Sequence, residues 1–207
     1  MIKKRKGETS YKETAFGIIP RQQLIPLEVE GIKRAWDFVL KCRKKRKISL
    51  SENFLKKIHK IGFGWIFPRF GGVFRTIDVN VSYHVPPKPY VVPQLMKDFM
   101  NDLKTRIKYL PSLDDMIFLE ELVGLLAWAH HRFLWIHPFL DYNGRIGRLL
   151  INIILLNLDL PPMELRVETK TTRNLYIMAL MNADKNNLDA LKKLIKSAIR
   201  EAVKKWQ

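Results

Sequence analysis

The most informative stretch of the chain is residues 137–148, which read HPFLDYNGRIGR. Upstream of it, apolar residues recur every three or four positions from Leu119 to Phe133, and this spacing predicts a long helix. That helix is expected to end at His137, because a residue that precedes proline avoids the helical conformation. A second helix is predicted from about Arg145 to Leu158. It is apolar around most of its circumference, which indicates a buried central helix.

The loop between these two helices carries side chains suited to phosphate chemistry. The first turn of the second helix offers unpaired N–H groups and a positive dipole end, and Gly144 lets the backbone approach an anion closely. Arg145 and Arg148 lie three residues apart and can clamp phosphate oxygens. Asp141 is a hard oxygen ligand for a Mg²⁺ that substrate phosphates complete, and His137 can accept a proton near neutral pH. This composition predicts transfer of a phosphate-containing group to a hydroxyl.

The same stretch closely resembles the signature of the Fic family, H-P-F-x-D/E-G-N-G/K-R-x-x-R. Eleven of its twelve positions agree, counting the free ones. The resemblance extends upstream through residues 71–96 and downstream through residues 158–162 and 176–191, and it covers about residues 27–195. We therefore divide the chain into a basic N-terminal extension, residues 1–25, and a Fic domain, residues 26–207.

The resemblance implies a protein adenylyltransferase, which transfers AMP from Mg·ATP to a Ser, Thr or Tyr hydroxyl of a target protein and releases pyrophosphate. In such an enzyme His137 would be the general base, and Asp141 would hold Mg²⁺ or Mn²⁺. The nucleotide would be bound by Asn143, Gly144, Arg145 and Arg148. Phe139 would anchor the loop in the core.

The resemblance also implies a mostly α fold, a helical bundle around a central buried helix with a short β-hairpin flap. Residues 73–81 alternate and are β-branched, which predicts a short strand or hairpin arm. The flap, residues 75–85, would hold the target segment as an added strand. The residues expected to dock the target are Arg75, Thr76, Ile77, Val79 and Val81.

One position departs from the family pattern. Tyr142 stands where the family usually has glycine. If that position requires a positive φ, tyrosine there is unfavourable. Tyr142 could adopt that backbone conformation or tilt the loop. Its side chain could contact nucleotide or target, or occlude the phosphate nest.

Other helices are expected along the chain. Their predicted ranges are about 26–44, from Ser49 or Ser51 to Ile61, and 93–107. Residues 112–115 have the sequence of a capping signal for the long helix that ends at His137.

Bulk composition limits the class of protein. The chain of 207 residues fits one domain, and its one cysteine excludes an intrachain disulfide framework. The absence of a bilayer-length apolar run or a signal-peptide pattern indicates a cytoplasmic protein that is not in a membrane. The net charge of +17 favours an acidic target protein. Nucleic acid is not favoured, because the basic clusters lack interleaved aromatic residues.

Several alternatives stay open. The chain could be a Doc-like protein kinase or another nucleotide-dependent transferase on the same fold, or a non-catalytic basic module that binds nucleic acid. The inhibitory motif S/T-x-x-x-E-G/N of many Fic enzymes has no full match, since Glu30-Gly31 has Pro26 in place of Ser or Thr. An inhibitor could be a separate antitoxin chain or be absent.

Overall fold

The computed structural model describes residues 11–81 and 84–206, so the first ten residues of the predicted extension lie outside it. Within those ranges the mostly α prediction is confirmed, with seven α-helices and one two-stranded antiparallel hairpin. The helices are α1 (Arg21–Lys45), α2 (Glu52–His59), α3 (Val92–Lys108), α4 (Phe118–Ile136), α5 (Asn143–Asn157), α6 (Lys170–Asp184) and α7 (Asp189–Trp206). No helix in the described ranges combines the length and the hydropathy needed to cross a bilayer.

The predicted central helix is α5. Ile146, Leu150, Ile153 and Ile154 on this helix have no exposed surface. Helices α1, α2 and α4 pack directly on it, while α3, α6 and α7 complete the bundle around α4. The N-terminus of α5 thereby lies at the junction of several helices, and it is fixed by the core rather than by its own loop.

Helix α1 begins five residues earlier than predicted, because tertiary contacts secure the turn before Pro26. Leu24 is fully buried, and Arg21 forms an ion pair with Glu28. The helix also lies very close to a π-helical turn at Lys60–Gly64. A Cβ on Gly31 would sit 2.2 Å from the Gly62 carbonyl oxygen, so this approach requires glycine.

Helix α4 ends at Ile136, in agreement with the prediction, but it begins at Phe118 rather than at the capping signal. Residues 112–115 form a turn instead, in which Ser112 O accepts from Asp115 N. The Asp115 carboxylate accepts from Ile117 N, and this local bond competes with the helical conformation.

The segment 73–81 does not form the regular strand that its alternation predicts. It carries no regular ladder, and in the described part of the flap one bridge joins Val81 to His84. The Arg75 guanidinium donates to Ile77 O and to Pro87 O, so a side chain joins the two arms where a ladder would otherwise do so.

The regular hairpin is formed by β1 (Tyr11–Thr14) and β2 (Gly17–Pro20), in a register that pairs Tyr11 with Pro20. This N-terminal hairpin packs on the segment that follows the π-helical turn. Ala15 N donates to Ile66 O at 2.8 Å, and the Phe16 ring meets Trp65 edge-on. The hairpin is therefore held against the bundle, close to the start of α5.

Candidate functional site

His137 terminates α4 in a left-handed conformation, with φ 50° and ψ 58°. Its Nδ1–H donates to Leu134 O at 3.2 Å, which leaves Nε2 as the unprotonated nitrogen of the neutral ring. Burial lowers the pKa of His137 to about 4. The imidazole is therefore neutral at physiological pH and is able to accept a proton at Nε2.

Arg75 fixes the backbone on both sides of His137. Its side chain is only 4% exposed, and its Nε donates to His137 O at 2.8 Å. Its backbone N–H donates to Pro138 O at 2.9 Å. Burial lowers the pKa of Arg75, yet with carbonyl partners on several sides the guanidinium stays charged. Arg75 thus ties the flap to the end of α4.

His59 on α2 supports the loop between α4 and α5 through its buried ring. Gly72 N donates to its Nδ1 at 2.8 Å, and its Nε2–H donates to Asp141 O at 3.2 Å. The ring stacks on buried Phe139 with centroids 4.0 Å apart. Burial lowers the pKa of His59 to about 4, which keeps this neutral tautomer in place.

Asn143 closes the loop from its other end. Its side-chain amide accepts from Phe139 N at 2.9 Å and donates to Phe139 O at 2.8 Å. The side chain is 2% exposed, so it is used for loop geometry. Since its side-chain amide is used in this way, the group that Asn143 offers at the N-terminus of α5 is its backbone N–H.

Tyr142 adopts the left-handed conformation that its position requires, with φ 64° and ψ 13°. Its ring lies parallel to Phe63 with centroids 3.9 Å apart, and its hydroxyl donates to Glu28 Oε1 at 2.8 Å. The residue is 7% exposed. Tyr142 therefore points into the core and leaves the N-terminus of α5 open.

Glu28 is a buried carboxylate that joins α1 to the loop between α4 and α5, residues 137–142, called the signature loop below. Besides Tyr142, it accepts from Arg145 at 2.6 Å and pairs with Arg21. Burial acts to raise the pKa of Glu28, but the bonds from Arg21 and Tyr142 and the charge of Arg145 outweigh it and lower that pKa. The carboxylate is thus ionised, and it holds one side of the Arg145 guanidinium.

The N-terminus of α5 forms a polar nest. The first backbone hydrogen bond of this turn is donated by Arg145 N to Tyr142 O. The N–H groups of Asn143 and Gly144 precede it and are not used by the hydrogen bonds of the helix. A Cβ on Gly144 would meet only the Arg148 side chain, at 3.6 Å. The space above Gly144 is thus not taken by the protein's own packing, and an anion can approach the backbone there.

Two arginines border this nest. Arg145 and Arg148 line a cavity of about 850 Å³ together with residues of α1 and α7. Within the described residues Arg148 has no ion pair, and the buried Arg145 NH1 has no hydrogen-bond partner. Arg148, whose NH1 lies beside Gly144, is therefore available to a phosphate oxygen.

Asp141 is the candidate metal ligand. Its Oδ1 accepts from Tyr142 N at 2.7 Å, which fixes the carboxylate, and its Oδ2 forms an ion pair with Lys12 of β1. A cation already lies against Oδ2, so the position suits a positive charge. Among the described residues, no group of three or more His, Cys, Asp or Glu side chains could hold a metal ion.

The structure brings together most of the predicted site residues. His137, Asp141, the backbone of Asn143 and Gly144, and Arg148 lie in or beside one loop, whereas one side of Arg145 is turned to Glu28. In the flap, Thr76 and Ile77 are exposed, Val79 and Val81 are half-buried, and Arg75 is buried. Among the expected docking side chains, Arg75 is the one that faces the protein's own interior.

Sequence reasoning missed Glu28, His59 and Lys12. A signal for Glu28 existed, because α1 buries Leu24, Glu28, Gly31, Ala35 and Val39 at helical spacing, and a carboxylate on such a stripe needs partners. His59 adjoins the buried Ile58 on the apolar face of α2, which is a weaker signal. Lys12 has no sequence signal, since its partner is 129 residues away.

Comparison with known proteins identifies the family of this chain. The model of the Fic/DOC family matches residues 49–155, just over half of the chain. "Protein adenylyltransferase Fic" of Nematostella vectensis is 32% identical over 158 residues, which cover 76% of this chain. The chain belongs to the Fic/DOC family. A second relative of the same name, from Drosophila willistoni, is 32% identical over 69% of the chain.

Solved Fic structures share the fold. Fic-1 (aa134–508) from C. elegans superposes with a TM-score of 0.66 at 26% identity, over 86% of this chain and 50% of that one. BepC of Bartonella tribocorum, solved with bound AMPPNP, superposes with a TM-score of 0.72 at 16% identity, over 93% and 94% of the two chains. The chain spans 35% and 26% of the lengths of the two Fic relatives above. The similarity therefore concerns the Fic domain.

Proposed function

We propose that this Fic domain is a protein adenylyltransferase. It transfers AMP from ATP, with Mg²⁺ or Mn²⁺, to a Ser, Thr or Tyr hydroxyl of a target protein. The observation that carries the proposal is the neutral His137, with Nε2 free to accept a proton, at the loop that leads into the open nest of α5. The relatives at 32% identity that carry the name protein adenylyltransferase support it.

In the proposed reaction, His137 Nε2 takes the proton of the target hydroxyl as its oxygen attacks the α-phosphorus. A bond forms between that oxygen and the α-phosphorus, and the bond from the α-phosphorus to the bridging oxygen of the β-phosphate breaks. Pyrophosphate leaves with the electron pair. The hydrogen bond from Nδ1–H to Leu134 O keeps the ring oriented, and it stabilises the imidazolium that forms.

The nucleotide is bound by groups on α5. The N–H groups of Asn143 and Gly144 donate hydrogen bonds to the α- and β-phosphates, where the helix dipole also favours negative charge. Arg148 and Arg145, whose side chain is 26% exposed, bind the outer phosphate and the departing pyrophosphate. Asp141 would hold Mg²⁺, which would offset the negative charge of the α- and β-phosphates.

The target segment lies along the flap. Thr76, Ile77, Val79 and Val81 present backbone and side chains to it, and Arg75 acts from inside by holding the flap against the end of α4. We expect an acidic target, because the chain carries a net charge of +17.

The test is a pair of labelling assays on cell lysate with α- or γ-labelled ATP. Label from the α position alone, with a mass gain of one AMP on the target, is the expected result. Transfer from the γ position alone would replace the proposal with the kinase alternative. Binding to nucleic acid with a steep salt dependence and no transfer would favour the non-catalytic alternative.

The matching variants are His137→Ala and His131→Ala. His137→Ala should lower AMP transfer by about 10²–10⁴-fold, the usual contribution of a general base, with the far-UV circular dichroism unchanged. His131 on α4 pairs with Asp184, away from the loop, and its variant should keep the activity. Equal labelling by wild type and His137→Ala would remove His137 from the mechanism.

A further inference from the structure

Lys12 of the N-terminal hairpin reaches across to the candidate metal ligand. Its Nζ forms an ion pair with Asp141 Oδ2, although the two residues are 129 positions apart in sequence. The ammonium also lies 5.8 Å from the ring centroid of Tyr142 and 5.9 Å from that of Phe67. Lys12 thus meets three separate groups around the signature loop.

The position of Lys12 follows from how the hairpin is held. Besides the Ala15–Ile66 bond and the Phe16–Trp65 contact, Glu13 pairs with Arg69 across the same face. This ion pair is at the surface, since Glu13 and Arg69 are 68% and 84% exposed, and such a pair stabilises the docked hairpin little. Strand β1 can therefore separate from the loop in response to a modest competing interaction, while β2 keeps its contacts with α1.

The two oxygens of the Asp141 carboxylate have different partners. Oδ1 is used by Tyr142 N, and Oδ2 is the oxygen that Lys12 contacts. An ammonium and a divalent cation repel each other at such short range, so they cannot share Oδ2. Lys12 and Asp141 are 41% and 38% exposed, which lets the ammonium move into solvent when it is displaced.

We propose that Lys12 is a further residue of this site, which occupies the metal position on Asp141 and must leave it before Mg·nucleotide binds. The inference rests on the proposed function, because that function places the metal on Asp141. Lys12 keeps the carboxylate neutralised while no metal is bound. Metal entry then releases β1 from the loop, which makes the N-terminal hairpin a competitor of the cofactor.

The first test measures Mn²⁺ binding to the full chain by electron paramagnetic resonance, which reports free Mn²⁺. Lys12→Met keeps the aliphatic stem over the two rings but removes the ammonium. It is expected to bind Mn²⁺ about two- to five-fold more tightly than wild type, the equilibrium factor of a partly exposed ion pair. Lys12→Arg should bind as wild type does.

Two controls separate competition from a general change in charge. Lys56→Met removes an ammonium that lies 4.1 Å from the ring centroid of Phe74, without contact to Asp141, and should leave the Mn²⁺ affinity nearly unchanged. In an Asp141→Asn background, Lys12→Met should have no effect. A gain of the same size in Lys56→Met, or in the Asp141→Asn background, would overturn the proposal.

The second test is hydrogen exchange by mass spectrometry on residues 11–20. Mn²⁺ should speed exchange there in wild type and leave it unchanged in Asp141→Asn. Equal Mn²⁺ affinity of wild type and Lys12→Met, with no change in exchange, would overturn the inference even where AMP transfer is normal. Conversely, a gain in Lys12→Met without any AMP transfer would reject the proposed function and retain the role of Lys12.

Discussion

Replacing Tyr142 by glycine, the residue that the Fic signature has there, should destabilise this protein. Glycine removes the cost of a left-handed conformation at φ 64°, a gain of about 1–2 kcal/mol. On that ground alone the substitution would be stabilising. The side chain of Tyr142, however, is packed in the core and bonded to a charged group.

The loss from that side chain is larger than the gain. Truncating a buried aromatic residue costs about 3–5 kcal/mol, and the Tyr142 ring lies flat on Phe63 with 7% of the residue exposed. The hydrogen bond from its hydroxyl to ionised Glu28 adds about 1.5–3 kcal/mol. Since such contributions overlap, we expect a net loss of about 3–5 kcal/mol in the free energy of unfolding.

The measurement is urea unfolding followed by circular dichroism. Tyr142→Phe keeps the ring and should lose only the hydroxyl contribution. Asn186→Gly is the matched control, because Asn186 has nearly the same φ, 63°, but is exposed. Its stability should equal that of wild type or exceed it by up to about 1 kcal/mol, because asparagine bears the left-handed conformation at a smaller cost than tyrosine and loses no packing. If Tyr142→Gly were as stable as wild type, the packing of Tyr142 against Phe63 and Glu28 would not be what stabilises the loop.

Three further predictions concern the supporting residues. Glu28→Gln should lower the free energy of unfolding by about 2–3 kcal/mol in the same assay. This loss is smaller than the loss expected for breaking a fully buried ion pair, because Arg21 and Arg145 are partly exposed. Arg75→Met should lower kcat about ten-fold with little change in ATP binding, because His137 loses its backbone anchor; unchanged kcat would contradict this. Stability should fall between about pH 6.5 and pH 4, because the unfolded chain takes up protons that buried His59 and His137 do not. Each histidine contributes up to roughly 3 kcal/mol to that loss, and urea unfolding at pH 7.0, 5.5 and 4.5 measures it.

The parts of the fold that sequence could predict are those encoded within one continuous segment. The C-terminus of α4 follows from His137-Pro138, and the range of α5 follows from the apolar periodicity to within two residues. Gly144 indicates the nest between the two helices. The start of α1 could not be predicted in this way. It depends on Glu28, whose partners Tyr142 and Arg145 are more than a hundred residues away.

The flap and the N-terminal hairpin show the same limit. Residues 73–81 have the composition of a strand, but the side chain of Arg75 supplies the cross-links, so the backbone needs no ladder. Residues 11–20 contain β-branched and aromatic residues but no regular alternation, and they pair as a hairpin whose turn ends at Gly17, where φ is 92°. In both segments tertiary contact outweighs local propensity.

The anchors of the signature loop also bear on how tightly a nucleotide can bind. A free loop that orders around a ligand loses about 1–2 kcal/mol of backbone entropy per residue. Here Arg75, His59 and Asn143 hold residues 137–142 in place in the chain without a ligand, so that entropy has already been lost on folding. An arriving phosphate chain therefore meets a pre-organised acceptor. Substitutions of the His59 ring or of the Asn143 side chain should therefore weaken nucleotide affinity, even though neither side chain needs to touch the nucleotide.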